Sequence, residues 1–583
     1  MRGMQRTIIG AGVAVAVMLV GTTTAGAFDP AVEAKNFNKG NERQAIYNTP
    51  EYRALLAQVS TQNEAASLAI QAADPERSFQ DHLCSRGDDG CAGDARLYDW
   101  QAKGYGIVQP VLWTARNGAT ISGRLWATKA GPAKRPGVVI TNGSVQADEQ
   151  LYWFAAQTLA KAGYVVLTWD PQGQGQSDTR GEAPDQDEGF PAQSDGRPFF
   201  DGTADAIEFF FSNPSSPYVP LKSCSTGTSH KAKQDRRVKE SRNAAFNPFW
   251  ELLDRDRVGI AGHSYGAAGV SYIGQQDPRV KAIVAWDNLG SADPGAGLSE
   301  EPCPANPSLR APAPITKPAL GMSADYFIPP VPNTGDPDPL GKSKQSVEYS
   351  TKGIDTGEIV IRGGTHYDFD WIPNAGFPAT LRGADMITWY TTAWFDKYVK
   401  GDATADRRLT TNRWRADAEE AAVDPDGDAN MFSFYYRSRL DIGLAGGGRF
   451  VCEDLRPGCP GIAADDGQPA KYSFIDIVKS ADGPATGPVP PGSGIQGCGK
   501  KPGRTVPLHY RSRGVRIVRA TVYINGKRVK VHRGRNLRRV VIPPAGPGRH
   551  VVKIVLRSSK GKRYISVRTY NGCKKSKPRR VRR

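Results

Sequence analysis

The sequence predicts an α/β protein, a doubly wound and mostly parallel sheet, followed by a small all-β sandwich that is Ig-like in size. Three observations predict it. Between about residues 105 and 400, short apolar runs alternate with stretches of helical spacing, the pattern of parallel strands covered by helices on both faces. Within that region Gly262-His263-Ser264-Tyr265-Gly266 directly follows a strand-like run and opens a helical one, so the chain must turn sharply at Ser264. From Lys500 the chain changes character: strands are short and alternating, and there are 28 Lys or Arg with no Asp or Glu up to Arg583.

The first 27 residues read as a secretory signal. Arg2 and Arg6 supply the positive start, residues 8–20 are apolar but short for a bilayer span, and Ala25-Gly26-Ala27 is a small-x-small cleavage site. Residues 28–104 read as an N-terminal helical extension. Tyr52, Leu55, Leu56 and Val59 have helical spacing, and Pro50 suits a helix start.

Residues 105–480 form the expected main domain. Strands are predicted at 107–114 and 120–127, joined at Asn117-Gly118, a hairpin signal. Further strands are predicted at 137–141, 164–169, 258–261, 280–286, 319–322 and 358–361, with helices at 151–162, 203–211 and 382–399. Residues 221–250 are polar, break this rhythm and read as a surface insertion bordering the mouth of the site. Residues 432–436 and 472–478 read as strands that finish the domain. Residues 481–497 read as a Pro- and Gly-rich linker. The sandwich is expected over 498–575, with hairpins at Asn525-Gly526 and at a Ser-Ser-Lys-Gly turn, and a basic tail over 576–583.

The eight cysteines fit an oxidising compartment and an extracellular protein. The expected pairs are Cys84 with Cys91, Cys224 with Cys303, Cys452 with Cys459 and Cys498 with Cys573. No C-x-x-C occurs and the seven His are scattered, so a metal site is not expected. The charge is uneven: the whole chain is +17, which leaves residues 1–499 at −11 once the 28 basic residues beyond them are set aside. An acidic body on a basic tail suggests two modules with separate jobs. The basic one suits an anionic cell-wall or membrane surface, and secretion argues against nucleic acid.

The Ser264 turn carries chemistry. A serine hydroxyl is a poor nucleophile until a base takes its proton, and the base needs a carboxylate to fix its tautomer. His366 is the only His between Ser264 and the linker, and it follows the predicted strand 358–361. Two carboxylates sit just beyond strand ends: Asp325, which is favoured because it ends the strand before the His strand, and Asp287 as the alternative. An oxyanion site needs two backbone N–H groups. These are assigned to Tyr265 and Ser144, with Val145 as the alternative to Ser144. Trp153, Tyr265 and Tyr367 are candidates for an apolar acyl site, although aromatics at a fold centre are more often core.

With these features the chain resembles the α/β-hydrolase superfamily, from about residue 107 to 398. Asp170-Pro171-Gln172-Gly173-Gln174-Gly175-Gln176-Ser177 looks like the family's D-x-R-G-x-G-x-S loop, with Gln172 in place of the usual Arg. Ala393-Trp394-Phe395-Asp396-Lys397-Tyr398 is similar to the last helix of secreted esterases and dienelactone-hydrolase-like enzymes. Asn142-Gly143 stands where many members have His-Gly. The resemblance implies a serine hydrolase for carboxylic esters that needs no metal or organic cofactor. A peptidase or lactonase would use the same triad, and a cell-surface binding protein tethered through the basic module is the reading from another class.

Overall fold

The computed structural model describes residues 28–45, 50–79, 82–87, 90–144, 148–192, 196–293, 303, 311–374, 377–412, 432–456, 459–461, 463–464, 504–508, 516–524, 527–542, 549–571 and 579–580. The expected signal segment, the linker, the 472–478 strand and the Cys498–Cys573 pair lie outside these residues. The chain divides into two compact units, Met1–Thr486 and Gly487–Arg583.

The first unit opens with two helices, α1 (Pro30–Ala45) and α2 (Pro50–Ala73). β1 (Ile107–Thr114) and β2 (Thr120–Ala127) then form the expected hairpin, with Thr114 opposite Thr120. Gly118 closes that turn at φ 87°, a conformation costly for any residue with a Cβ. Next come β3 (Arg135–Thr141), α3 (Trp153–Lys161), β4 (Val165–Trp169), α4 (Arg197–Phe211) and α5 (Lys231–Lys239). They are followed by β5 (Leu253–His263), α6 (Tyr265–Gln276), β6 (Val280–Trp286), β7 (Ala319–Ala324), α7 (Lys344–Thr351) and β8 (Thr356–Ile361). A two-residue pair, β9 (Pro373–Asn374) and β10 (Phe377–Pro378), leads into α8 (Leu381–Phe395), which runs on as a π-helical turn over Asp396–Lys400. The short α9 (Ala405–Leu409) and β11 (Thr411–Asn412) precede β12 (Arg439–Gly443), β13 (Arg449–Cys452) and β14 (Ala463–Ala464).

Ten of these strands make one sheet in the order β1-β2-β4-β3-β5-β6-β7-β8-β12-β13. Pairing is parallel from β4 through β8 and antiparallel at both flanks. The sheet is covered on two faces. Side chains alternate across it: Ala261 and Val284 pack with α3 and α8, whereas Ile260 and Ile283 pack with α4 and α6. Burial of both faces explains why the strands read as unbroken apolar runs.

One expectation needs correction. Residues 432–436 do not form a strand; Phe432 makes a single bridge to Ile361, and β12 and β13 finish the sheet instead. The stretch 221–250, read as a surface insertion, is ordered and tied to the domain. It contains α5, whose Arg237 side chain is fully buried against Asp74 (2.6 Å) and Glu76. Gln234 accepts the Thr114 N–H at 3.0 Å, and Lys233 donates to the Gly118 carbonyl at 2.6 Å. This stretch braces the β1–β2 hairpin. The pairs Cys84–Cys91, Cys224–Cys303 and Cys452–Cys459 are disulfides, as expected for an oxidising compartment. Among the described residues no helix is long and apolar enough to cross a membrane.

The second unit is all β. β16 (Ile517–Ile524), β17 (Lys527–Arg533), β19 (Arg549–Ser558), β20 (Arg563–Asn571) and β21 (Arg579–Arg580) form an antiparallel sheet in the order β17-β16-β19-β20-β21. β15 (Arg504–Pro507) pairs with β18 (Arg539–Ile542) in a second sheet. Ile517, Ala520, Val522, Val552, Ile554 and Leu556 from the large sheet share a core with Val540 and Ile542 from the small one. The result is a small two-layer sandwich.

Candidate catalytic site

Parallel pairing brings the candidate residues to one edge. The register sets His263 beside Trp286, Trp286 beside Met322 and Ala324 beside Ile361. Ser264, Asp287, Asp325 and the loop to His366 therefore all emerge from the carboxyl end of the sheet. Thr141 lies beside Gly262, so the Asn142-Gly143-Ser144 loop emerges there too.

Ser264 sits between β5 and α6 with φ 56° and ψ −119°. Such a backbone costs a non-glycine residue on the order of 1–3 kcal/mol and persists only where its surroundings over-determine it. Its glycines show why the motif needs them. A Cβ on Gly262 would lie 2.3 Å from the Gly266 carbonyl oxygen, and one on Gly266 would lie 2.3 Å from the Asn142 oxygen. The turn closes only with bare backbone at both places.

His366 follows Gly363-Gly364 in a short 3₁₀ turn capped by Thr365, whose hydroxyl accepts from the Tyr367 N–H at 3.2 Å. Its Nδ1 is hydrogen-bonded to Asp287 Oδ2. Both side chains are about 5% exposed or less, so the pair is shielded from solvent. Burial opposes ionisation of Asp287, but the attraction of His366 and its hydrogen bond outweigh it, and the carboxyl is held below its usual range.

The favoured carboxylate, Asp325, does something else. Its Oδ2 accepts the Gly363 N–H at 2.7 Å and the Asn36 amide at 3.1 Å. Burial pushes its pKa up. Asp325 thus holds the loop that carries His366, and Asp287 meets the imidazole. The preference for Asp325 as the partner of His366 is corrected in favour of the alternative. The physical reason lies in the loops: Asp287 stands at φ 48° at its strand end, and the Gly363-Gly364 turn is tied down on Asp325 before the chain reaches His366.

The residues proposed as oxyanion donors flank Ser264. Tyr265 is the first residue of α6, and a first-turn N–H has no partner inside its helix. On the facing loop, a Cβ on Gly143 would lie 3.1 Å from Ser264 Cβ. The Gly143 N–H is already used, donating to Tyr152 Oη at 2.8 Å, and its carbonyl accepts from Gln174 at 2.8 Å. Ser144, half-buried, supplies the next amide, which has no hydrogen bond among the described residues. Val145 lies outside them. Asn142 donates to Asp170 at 3.4 Å, and Asp170 also takes the Glu149 N–H at 2.7 Å and the Gln176 N–H at 3.0 Å. The Asp170–Ser177 loop is therefore a brace for the Asn142–Ser144 loop. Gln172 works within it, donating to the carbonyls of Thr179 and Asp187.

Behind Ser264, His263 is almost wholly buried. Its ring lies 4.4 Å from that of His366, centroid to centroid. Tyr152 Oη meets its Nδ1 at 2.8 Å. The same phenol oxygen accepts the Gly143 N–H, so Tyr152 ties His263 to the Asn142–Ser144 loop. Burial and the neighbouring His366 hold His263 neutral, far below the usual imidazole value. Of the aromatic candidates, Trp153 belongs to the core against Trp126, at a ring separation of 5.1 Å. Tyr265 stacks on Phe199 at 5.3 Å, and Tyr367 is buried.

Sequence reasoning expected helix over residues 28–104 but missed that α1 reaches the site. Asn36 donates to Tyr326 Oη at 2.9 Å as well as to Asp325, and Glu33 accepts from Tyr326 Oη at 2.8 Å and the Asn333 N–H at 2.6 Å. Phe37 packs edge-on against Tyr326. The helix is anchored on the loops after β7 and β8 through polar groups, so no apolar stripe announced it. No family model matches the chain, and no curated protein sequence matches it.

Proposed function

We propose that the first unit is a serine hydrolase of the α/β-hydrolase type that cleaves carboxylic esters. The observation that carries this reading is the left-handed backbone of Ser264 at the same sheet edge as the buried His366–Asp287 pair. Ser264 attacks the acyl carbon while His366 takes its proton and delivers it to the leaving alcohol. Asp287 fixes the His366 tautomer with the proton on Nδ1 and stabilises the imidazolium that forms. The amides of Tyr265 and Ser144 receive the oxyanion. Water then attacks the acyl-enzyme, with His366 acting first as base and then as acid. The strand order β1-β2-β4-β3-β5-β6-β7-β8 supports the reading by lining up these loops. Three disulfides support an extracellular setting.

The test is release of nitrophenol from short- and long-chain nitrophenyl esters by the full chain beside Ser264→Ala. The expected result is hydrolysis that falls by at least about 10⁴-fold in the variant. Equal rates in the two proteins would remove Ser264 as the nucleophile.

A further inference from the structure

The outer face of the second unit carries an ordered pattern of charge. Ala520, Val522, Ile554 and Leu556 point into the core, so their strand neighbours point outward. Arg519 on β16 is directly opposite Arg533 on β17 and Arg557 on β19, and Arg557 is opposite Arg563 on β20. Four arginines thus form one straight row across four adjacent strands. Arg533, Arg557 and Arg563 are exposed and Arg519 is half-buried. Two residues further along lies a row without charge, Val531, Thr521 and Val555. Beyond it Arg528, Tyr523 and Lys553 are again opposite one another.

Like charges directly opposite on neighbouring strands destabilise a sheet. A face kept only for solubility would intersperse acids, yet residues 500–583 contain none. No acid of residues 500–583 offsets the repulsion within the row, and an anion from outside would. Strands are about 4.8 Å apart, so the row presents one guanidinium at each step of that length over about 14 Å. An extended chain of sugar rings advances by a similar distance per ring. Guanidinium forks match carboxylates in bidentate fashion, and Val531 and Val555, on either side of the buried Thr521, offer apolar contact for the C–H faces of the rings. A bilayer is a poorer fit, because that middle row has no large apolar side chain to insert. Phosphodiester polymers space their anions more widely.

We propose that this face binds a linear acidic polysaccharide with one carboxylate on each ring, the polymer lying across the strands along the Arg533–Arg519–Arg557–Arg563 row. This is independent of the hydrolase reading.

Binding of the full chain to sodium polygalacturonate is measured by calorimetry at low salt, beside Arg519→Gln/Arg557→Gln and the charge-matched Arg535→Gln/Arg538→Gln, whose exposed arginines lie between β17 and β18. Thermal unfolding of each variant checks that the module is intact. The row variant is expected to lose at least about tenfold in affinity and the control to change by less than about twofold. Equal losses in both variants would mean that net charge alone acts, and would overturn the proposal. So would an absence of binding, or tighter binding to poly(glycerol phosphate) or to phosphatidylglycerol vesicles.

Discussion

Arg237 in the first unit is fully buried and meets Asp74 and Glu76, whereas Arg519 in the second stands between two other arginines. The same contrast holds elsewhere. Arg116 lies buried against Asp201 and Asp205, and Arg439 against Glu453. These three cations of the first unit are internal ties, each paired with an acid where it is desolvated. In the second, cations are in register on a solvent-facing sheet with no acid in the module to answer them. A charge compensated inside the protein serves architecture or chemistry; one left uncompensated on an ordered surface is available to something outside.

The largest effect that would sharpen this contrast is at the two aspartates of the candidate site. Asp287 is compensated by His366, Asp325 by backbone and amide donors. On the proposed mechanism Asp287→Asn leaves the His366 Nδ1 facing an amide and favours the wrong tautomer. A fall in kcat of about 10³–10⁴-fold with little change in KM is expected. Asp325→Asn keeps an oxygen to accept the Gly363 N–H, and a loss below about tenfold is expected. Nitrophenyl ester kinetics on both variants decide the matter, and the reverse order would restore Asp325 as the partner of His366.

Why the sequence favoured the other aspartate is physical. Asp287 and Asp325 end neighbouring parallel strands, so both lie at the right edge, and strand order alone does not separate them. The choice is made by the backbone of residue 287 and by the anchoring of Gly363, and neither leaves a local pattern. The strands themselves were legible because their burial on both faces leaves unbroken apolar runs, and β1, β2 and β6 fall where those runs predict. Ser264 was legible because a tight turn writes its glycines on either side of the serine. β12 and β13 were not: Arg439, Asp441 and Arg449 interrupt the apolar pattern, and these strands are held at the sheet edge by Asp441–Arg449 and Glu453–Arg439 pairs. In the second unit the strands were legible from the Asn525-Gly526 signal, but the arginine row was not. Its register against β17 depends on an irregularity at Val522/Tyr523, which shifts the pairing.

A buried carboxyl on β8 has no ion pair among the described residues. Glu358 on β8 is wholly buried, takes a hydrogen bond from Ser323, and burial pushes its pKa up to about 8. A carboxyl whose folded value lies above its unfolded value binds more protons in the native state between the two. Its stabilising contribution is therefore complete below about pH 4.5 and lost as the pH rises through about 8. The loss is on the order of 4 kcal/mol. Urea unfolding across that window should show declining stability in the parent and a flatter profile in Glu358→Gln. A parallel decline in the variant would assign it to other groups.

The smallest effect lies on the sheet face of the second unit, and there the sign carries the information. Removing a cation from a compensated cluster such as Arg237 with Asp74 and Glu76 destabilises, because Asp74 is left with Arg242 alone and Glu76 loses a buried partner. Removing one from the arginine row relieves repulsion with its cross-strand neighbours. Arg519 has two such neighbours, Arg533 and Arg557, so Arg519→Gln/Arg557→Gln eliminates all three arginine–arginine contacts along the row. Each like-charge pair costs a few tenths of a kcal/mol to about 1 kcal/mol. The double variant is expected to unfold about 1 kcal/mol less readily, a rise of a few degrees in the transition of the second unit at low ionic strength. Added salt should close the gap, since screening weakens the same repulsion in the parent. A variant no more stable than the parent at low salt would mean that the row is already neutralised within the chain, and the contrast between the two units would then fail.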